Sequence, residues 1–524
     1  VISVHHNSSR TPRLLLAAGL AAAAFAASLP AGTSARADAA PSASVPPPRP
    51  STAAEVRTDA WLASHPQEAG RFFRDLPKGG DLHNHLSGAV RTEYLIQLAA
   101  EDGLCIDATM TAVAAPCATG TRPAADALTD SRFRQEIVRA WSMQDFPQGQ
   151  SGHDHFFATF GKFGAATSNR GKMLADVAGT AAAQNQTYLE TMVSPASAGA
   201  RQLAADVGWD ADLASLHRKL LAGGRLDQLV TTAKQEADTA DAEFREAAHC
   251  ATAAPRPACR ITVRWVSQVS RNSAPERVFT QIALGLRLAE RDQRFVAVNL
   301  VQPEDGEISL RDYRLHMRML NYLHGVYPSA HITLHAGELV PGLVKPEDLT
   351  FHIDDAVRTG QAERIGHGVD LVHEDDWRSL ARDMARRQIA VEVPLTSNAQ
   401  ILQVEGDEHP FPVYRKYGVP VVLSTDDPGV SRGDIGQEYR RAARTYALGY
   451  PELKDLARAS LEYSFLSGRS LWRSDPVRQG FRPVEECRVL ESARCARFTA
   501  RNPKAHLERR QEESFRAFEA RYAG

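Results

Sequence analysis

Short apolar runs and longer stretches of helical spacing alternate along the chain between Leu82 and Pro428. The runs are β-branched and too short for helices, so they predict strands at residues 80–83, 187–193, 261–269, 295–301, 331–335, 364–367, 389–394 and 419–425. The spacers read as helices. Pro275 opens one in which Val278, Ile282, Leu286 and Ala289 recur on one face, and Asp375-Asp376 opens another over residues 377–387. Strand and helix in strict alternation, repeated eight times, predict an α/β fold of the parallel (β/α)8 kind, a TIM barrel. Residues 194–260 are too long for a single crossover and predict a helical insertion after the second strand. Extra helices follow the barrel at residues 435–465 and 503–522.

The ends of the chain and its charge change this picture only at the margins. Arg10 and Arg13 precede an apolar run from Leu14 to Ala27, and Ala35-Arg36-Ala37 has the small-x-small form of a cleavage site. That run is shorter than the roughly 20 residues a span requires, so residues 1–37 predict a signal peptide and no stable membrane anchor after its removal. Residues 38–66, rich in Ala, Ser and Pro, predict a disordered tether, and residues 67–524 a single barrel domain. The 61 basic and 63 acidic side chains nearly cancel, which argues against nucleic acid or an anionic membrane as the main partner. The six cysteines fall into close pairs, Cys105 with Cys117, Cys250 with Cys259 and Cys487 with Cys495. Of the connectivities open to six cysteines, the local one fits this clustering and an oxidising compartment, periplasmic or extracellular.

Candidate chemistry stands where the apolar runs stop. His83-Asn84-His85 ends the first, His335-Ala336-Gly337-Glu338 the fifth, Arg364-Ile365-Gly366-His367-Gly368 the sixth, and Ser424-Thr425-Asp426-Asp427-Pro428 the eighth. In a parallel barrel these ends share one face, so the side chains converge. Three histidines and one carboxylate are a usual donor set for a catalytic zinc that keeps a position open. His83 and His85 alternate along a strand end and point the same way, and His335 and Asp426 complete a site for one zinc per chain. A second His-x-His, His153 and His155, precedes the aromatic helix pattern Phe156, Phe157, Phe160 and Phe163 and reads as non-metal.

Taken together, Leu82-His83-Asn84-His85-Leu86, Leu334-His335-Ala336-Gly337-Glu338, Arg364-Ile365-Gly366-His367-Gly368, Pro394-Leu395-Thr396-Ser397-Asn398 and Ser424-Thr425-Asp426-Asp427-Pro428 resemble the adenosine/AMP deaminase family of the metal-dependent amidohydrolase superfamily. The export signal and cysteine pairs are similar to the secreted adenosine deaminase branch. The resemblance implies that His83, His85, His335 and Asp426 hold Zn2+, that Glu338 protonates purine N1, that His367 orients and deprotonates the attacking water, and that Asp427 meets N7. It also implies a small-molecule purine nucleoside as partner, with no oligomeric state attached. Two positions depart from the family's pattern: Ser87 stands where an acidic residue touches the ribose, and Gln302 where a glycine backbone meets the purine. Both bear on which 6-aminopurine is used, with adenosine or 2′-deoxyadenosine first and adenine, AMP or N6-methyl derivatives as alternatives. A binding or signalling module without turnover is the reading from another class. Trp141, Phe156, Phe157 and Phe160 either wall the base pocket or pack as plain helix core. The signature of the other zinc deaminases, His-x-Glu with Pro-Cys-x-x-Cys, is absent.

Overall fold

A computed structural model describes residues 50–523. Eight parallel strands lie side by side in chain order: Gly79–His85, Gln186–Val193, Thr262–Ser270, Phe295–Val301, His331–Ala336, Arg364–His367, Ala390–Val393 and Val421–Leu423. They are referred to below as the first to eighth strands. The first and last meet at one bridge, where His85 N donates to Asp426 O at 3.0 Å and Asp426 N donates to His83 O at 2.9 Å. This nearly closed ring, with helices between successive strands, is the expected (β/α)8 barrel. The seam therefore closes at the very residues that carry the candidate chemistry.

The strands form where the apolar runs were, and their ends have local causes. The seventh stops at Val393 because Pro394 has no N–H to extend the ladder. The eighth stops at Leu423, and the turn beyond it puts Asp426 at φ 60°, a left-handed conformation. The barrel's other end is plugged from below: Arg364 donates to Tyr463 O at 2.8 Å, and Glu190 accepts from Phe465 N at 2.6 Å.

Three expectations need correction or extension. The helix expected over residues 435–465 is two helices, Ile435–Thr445 and Tyr450–Glu462; Ala447 takes φ 51°, and Pro451 fits only the first turn of a new helix. The tether expected over residues 38–66 is ordered in its last part, where Ala53–Ser64 is helical. Thr52 Oγ1 accepts from Glu55 N at 3.2 Å and Glu55 Oε2 accepts from Thr52 N at 2.8 Å, a reciprocal cap. This helix has little apolar face to betray it. It is anchored by buried polar residues, Glu55 against Lys454 at 3.0 Å and Lys454 against Glu519 at 2.6 Å, and by Trp61 on the edge of Tyr522. Residues 1–37 and the start of the tether lie outside the described residues, and among the described residues no helix is long and apolar enough to cross a membrane.

The third concerns the segment between the first and second strands, where the pattern shows only the aromatic helix at residues 156–163. It carries a small antiparallel sheet of Cys105–Ile106, Ala112–Val113 and Arg122–Pro123, and helices Ser131–Trp141, His153–Phe163 and Arg170–Ala183. Trp141 and Phe156 are buried as plain packing; the Trp141 indole N–H donates to Met110 O at 2.7 Å. Phe157 and Phe160 are half-buried. After the second strand come helices Ser197–Val207, Leu213–Leu221 and Arg225–Ala247. The cysteines pair locally, Cys105–Cys117, Cys250–Cys259 and Cys487–Cys495, with none left free.

Candidate metal centre

His83 and His85 leave the first strand, His335 the fifth, and Asp426 the turn after the eighth, and one ligand atom from each lies within 4.8 Å of all the others. Nε2 of His83 stands 3.1 Å from Nε2 of His335, which stands 3.3 Å from Nε2 of His85. Oδ1 of Asp426 is 3.4 Å from Nε2 of His83 and 3.3 Å from Nε2 of His85. Donors about 2.0–2.1 Å from a tetrahedral zinc are separated by roughly 3.3 Å, the spacing found here. All four residues are buried.

Outer contacts fix which ring nitrogens face inward. His83 Nδ1 donates to Glu392 Oε2 at 2.7 Å, and His335 Nδ1 donates to Asn299 Oδ1 at 2.7 Å. The side-chain amide of Gln268 lies 2.8 Å from His85 Nδ1, and Ser397 Oγ donates to Asp426 Oδ2 at 2.6 Å. The Nε2 lone pairs of His83 and His335 then point at each other. Two acceptors at that distance form no hydrogen bond, so the arrangement requires a cation between them. Burial lowers the His83 pKa, but the carboxylates of Asp426 and Glu392 outweigh it and raise it to about 10. Burial and the neighbouring His83 push His335 well below the ordinary value. The donor set fits zinc.

Around these four candidate ligands sit the residues expected to do chemistry. Glu338 is buried, and burial raises its pKa. Its Oε1 lies 3.7 Å from Nδ1 of His367. His367 Nδ1 donates to Asn398 Oδ1 at 2.8 Å, which leaves its buried Nε2 without a protein partner. Gly366 makes room for the cluster, since a Cβ there would lie 2.6 Å from Cε1 of His83. Asp427 is buried with Oδ1 unpartnered, and Gly88 packs so closely that a Cβ would overlap that oxygen. His367 takes φ 65° and Asp426 φ 60°, left-handed conformations that cost energy outside glycine and concentrate at functional positions.

The two departures fall differently. Ser87 is half-buried in the turn Leu86–Ala89 directly after the ligands. Gln302 takes φ 84°, the conformation a glycine would adopt freely. Its side chain is exposed and its Oε1 accepts from Asn272 N at 3.0 Å. His153 pairs with Asp305 at 3.1 Å. Sequence reasoning passed over Glu392, Asn299 and Gln268 as supports. The signal was there for two of them, a lone polar residue inside an apolar strand, in Ala390-Val391-Glu392-Val393 and Ala297-Val298-Asn299-Leu300.

A parallel barrel with a buried His, His, His and Asp group at its C-terminal mouth defines a barrel protein whose strand ends could hold a metal ion. The profile of the family described as Adenosine deaminase matches residues 166–471, more than half of the chain, and the chain belongs to that family. Among curated proteins, adenosine deaminase of Escherichia coli (strain SMS-3-5 / SECEC) is 38% identical over 138 residues, 26% of this chain and 38% of that protein. The chain thus aligns with less than two-fifths of the length of that relative. Among solved structures, Arabidopsis ADAL complexed with IMP has a TM-score of 0.50 at 20% identity, covering 78% of this chain and 96% of that one. Arabidopsis N6-mAMP deaminase MAPDA has a TM-score of 0.50 at 21% identity, covering 78% and 97%. These two likenesses establish the fold.

Proposed function

We propose that the protein hydrolytically deaminates adenosine and 2′-deoxyadenosine with one zinc per chain, held by His83, His85, His335 and Asp426. The observation that carries this reading is a buried carboxyl with a raised pKa, Glu338, set beside a three-histidine, one-aspartate cluster and a histidine, His367, with an open Nε2. When bound, zinc supplies a Lewis acid that makes water nucleophilic near neutral pH. Water adds across C6 and N1 of the purine: its oxygen bonds to C6, and Glu338 gives its proton to N1. Glu338 must hold that proton beforehand, which burial favours. His367 Nε2 accepts the proton that the attacking water loses and returns it to the departing amine. The C6–N bond breaks and ammonia leaves, while the hydroxyl on C6 gives up its proton to return Glu338 to its protonated form, and the 6-oxopurine results. In this reading Asp427 meets N7, and Ser87 and the backbone at Gln302 complete the nucleoside site.

Export to the periplasm or outside belongs to the same reading. The three disulfides support it, since such bonds persist in oxidising compartments. N-terminal sequencing of the mature protein is expected to begin near Asp38, and an intact leader on the mature protein would contradict it.

A substrate panel tests the reaction: adenosine, 2′-deoxyadenosine, adenine, AMP and N6-methyl analogues, each followed by amine release. The highest kcat/KM is expected for the two nucleosides. Preference for AMP or an N6-methyl compound would move the protein to another member of the same chemistry, a choice that Ser87 in place of an acid makes worth including. No release from any of them would end the enzymatic reading in favour of a binding module.

A further inference from the structure

Glu338 leaves the barrel three residues after the ligand His335, and the turn between them is clamped from outside the site. Gly337 takes φ 74°, which turns the N–H groups of Gly337 and Glu338 to the same side. Consecutive N–H groups in such a turn form a concavity for an anion. Here the anion is Glu304: its Oε1 accepts from Gly337 N at 3.1 Å and its Oε2 from Glu338 N at 3.0 Å. His352 Nδ1 adds a third donor to Oε1 at 2.5 Å. The other end of the turn is held by Arg271, whose Nη1 donates to His335 O at 3.2 Å and lies 3.7 Å from Glu304 Oε2. Arg271 Nε also donates to Gln302 O at 2.8 Å, so the same guanidinium pins the loop that carries Glu304. Both side chains are buried, Arg271 at 0% and Glu304 at 1% exposure.

A buried ion pair is a costly way to stabilise a fold, because desolvation offsets most of its attraction. What it supplies is geometry. Two oxygens of one carboxylate and the rigid fork of one guanidinium fix four backbone atoms at two successive strand ends, and His352 besides, and apolar packing fixes none of them so sharply.

We propose that Arg271 and Glu304 are positioning residues that hold the carboxyl of Glu338 at its working distance from the substrate nitrogen, and so act on turnover rather than on metal or substrate affinity. This rests on the assignment of Glu338 as the proton donor. Glu304→Gln keeps the shape but presents an NH2 group where a backbone N–H expects an acceptor. Arg271→Lys keeps the charge but cannot serve both carbonyls and the carboxylate together.

The test uses the full-length, zinc-loaded protein. For Glu304→Gln, kcat is expected to fall about 30-fold or more, since a displacement near 1 Å costs on the order of 10²-fold. KM should change little, zinc content should match wild type, and the amides of Gly337 and Glu338 should exchange with deuterium faster. Arg271→Lys should show the same pattern at smaller amplitude, and it carries the readouts if Glu304→Gln does not accumulate. Unchanged kcat overturns the proposal. So does loss of zinc alongside kcat, which would make the pair a support of His335 instead. Should wild type release no amine from any 6-aminopurine, the assignment of Glu338 fails separately, and the clamp is judged by exchange alone: faster exchange at Gly337 and Glu338 supports it, and unchanged exchange overturns it.

Discussion

The rim of the barrel and its disulfide-closed appendages are held in opposite ways. At the rim, residues remote in sequence bind one another through buried polar contacts. His83 meets Glu392 across 309 positions, Asp426 meets Ser397 across 29, and Thr425 meets Asp81 across 344. In the appendages closure is local and covalent, between cysteines 12, 9 and 8 positions apart. A long-range polar tie fixes the relative placement of two strand ends, and it fails at once if either end moves. A short disulfide loop fixes only its own shape. Damage to the rim should therefore register in turnover and pH response, and damage to the appendages only in stability.

Glu338→Gln strikes the rim hardest. Its shape and part of its hydrogen bonding survive, so zinc content and ligand affinity should stay near wild type while kcat falls by about 10²–10⁴-fold or beyond. Measuring kcat, zinc stoichiometry and purine riboside binding on one preparation checks this. An active variant would remove Glu338 from the chemistry, and one that also lost zinc would make it a support of the metal.

Glu438 tests the rim through pH. It is buried where helix Ile435–Thr445 meets the chain after the seventh strand, accepting from Thr396 N at 3.2 Å, and burial raises its pKa from 4.5 to about 7. The folded state thus holds this proton more tightly than the unfolded state does. Its stabilising contribution is complete below pH 4.5 and is lost as pH rises through about 7, a loss of up to about 3 kcal/mol. Denaturant unfolding between pH 5 and 8 should show Glu438→Gln gaining on wild type as pH rises. A difference that stays flat with pH would contradict the buried, protonated carboxyl.

Removing an appendage closure should cost stability and nothing else. Replacing Cys250 and Cys259 by serine opens a loop of 9 positions, which costs about 2–3 kcal/mol on chain entropy. Turnover below the unfolding transition should be unchanged, and a fall in kcat without a fall in stability would show that this appendage reaches the site. The smallest effect is expected at Gln302. Gln302→Gly relieves a left-handed backbone worth about 1 kcal/mol and removes one side-chain bond to Asn272, so thermal stability should barely move. A large change in kcat/KM among the substrates of the panel would show that the glutamine side chain takes part in selection.

The same contrast explains what the sequence could and could not disclose. Strand ends bearing His83, His85, His335, His367 and Asp426 were legible because an apolar run that stops at a histidine or aspartate is a local pattern, and barrel topology gathers such ends on one face. The cysteine pairs were legible because they are local. The Ala53–Ser64 helix was not, because its burial is polar: Glu55 and Thr58 face inward where an apolar stripe would have announced a helix. The break at Ala447 was visible in Pro451, and reading through it gave one helix for two. Glu304 and Arg271 had no local mark at all. Their meaning lies in the turn at Gly337, which belongs to another strand end and appears only once the barrel is closed.

The most direct test of the whole account is metal removal and return on the wild-type protein, with zinc per chain and ammonia release from adenosine measured at each stage. Chelation should abolish release while the far-UV circular dichroism of the barrel persists, because the core does not depend on the site. One equivalent of zinc should restore both the metal and the turnover. Full turnover after complete chelation, or no turnover with zinc restored to one per chain, would contradict it.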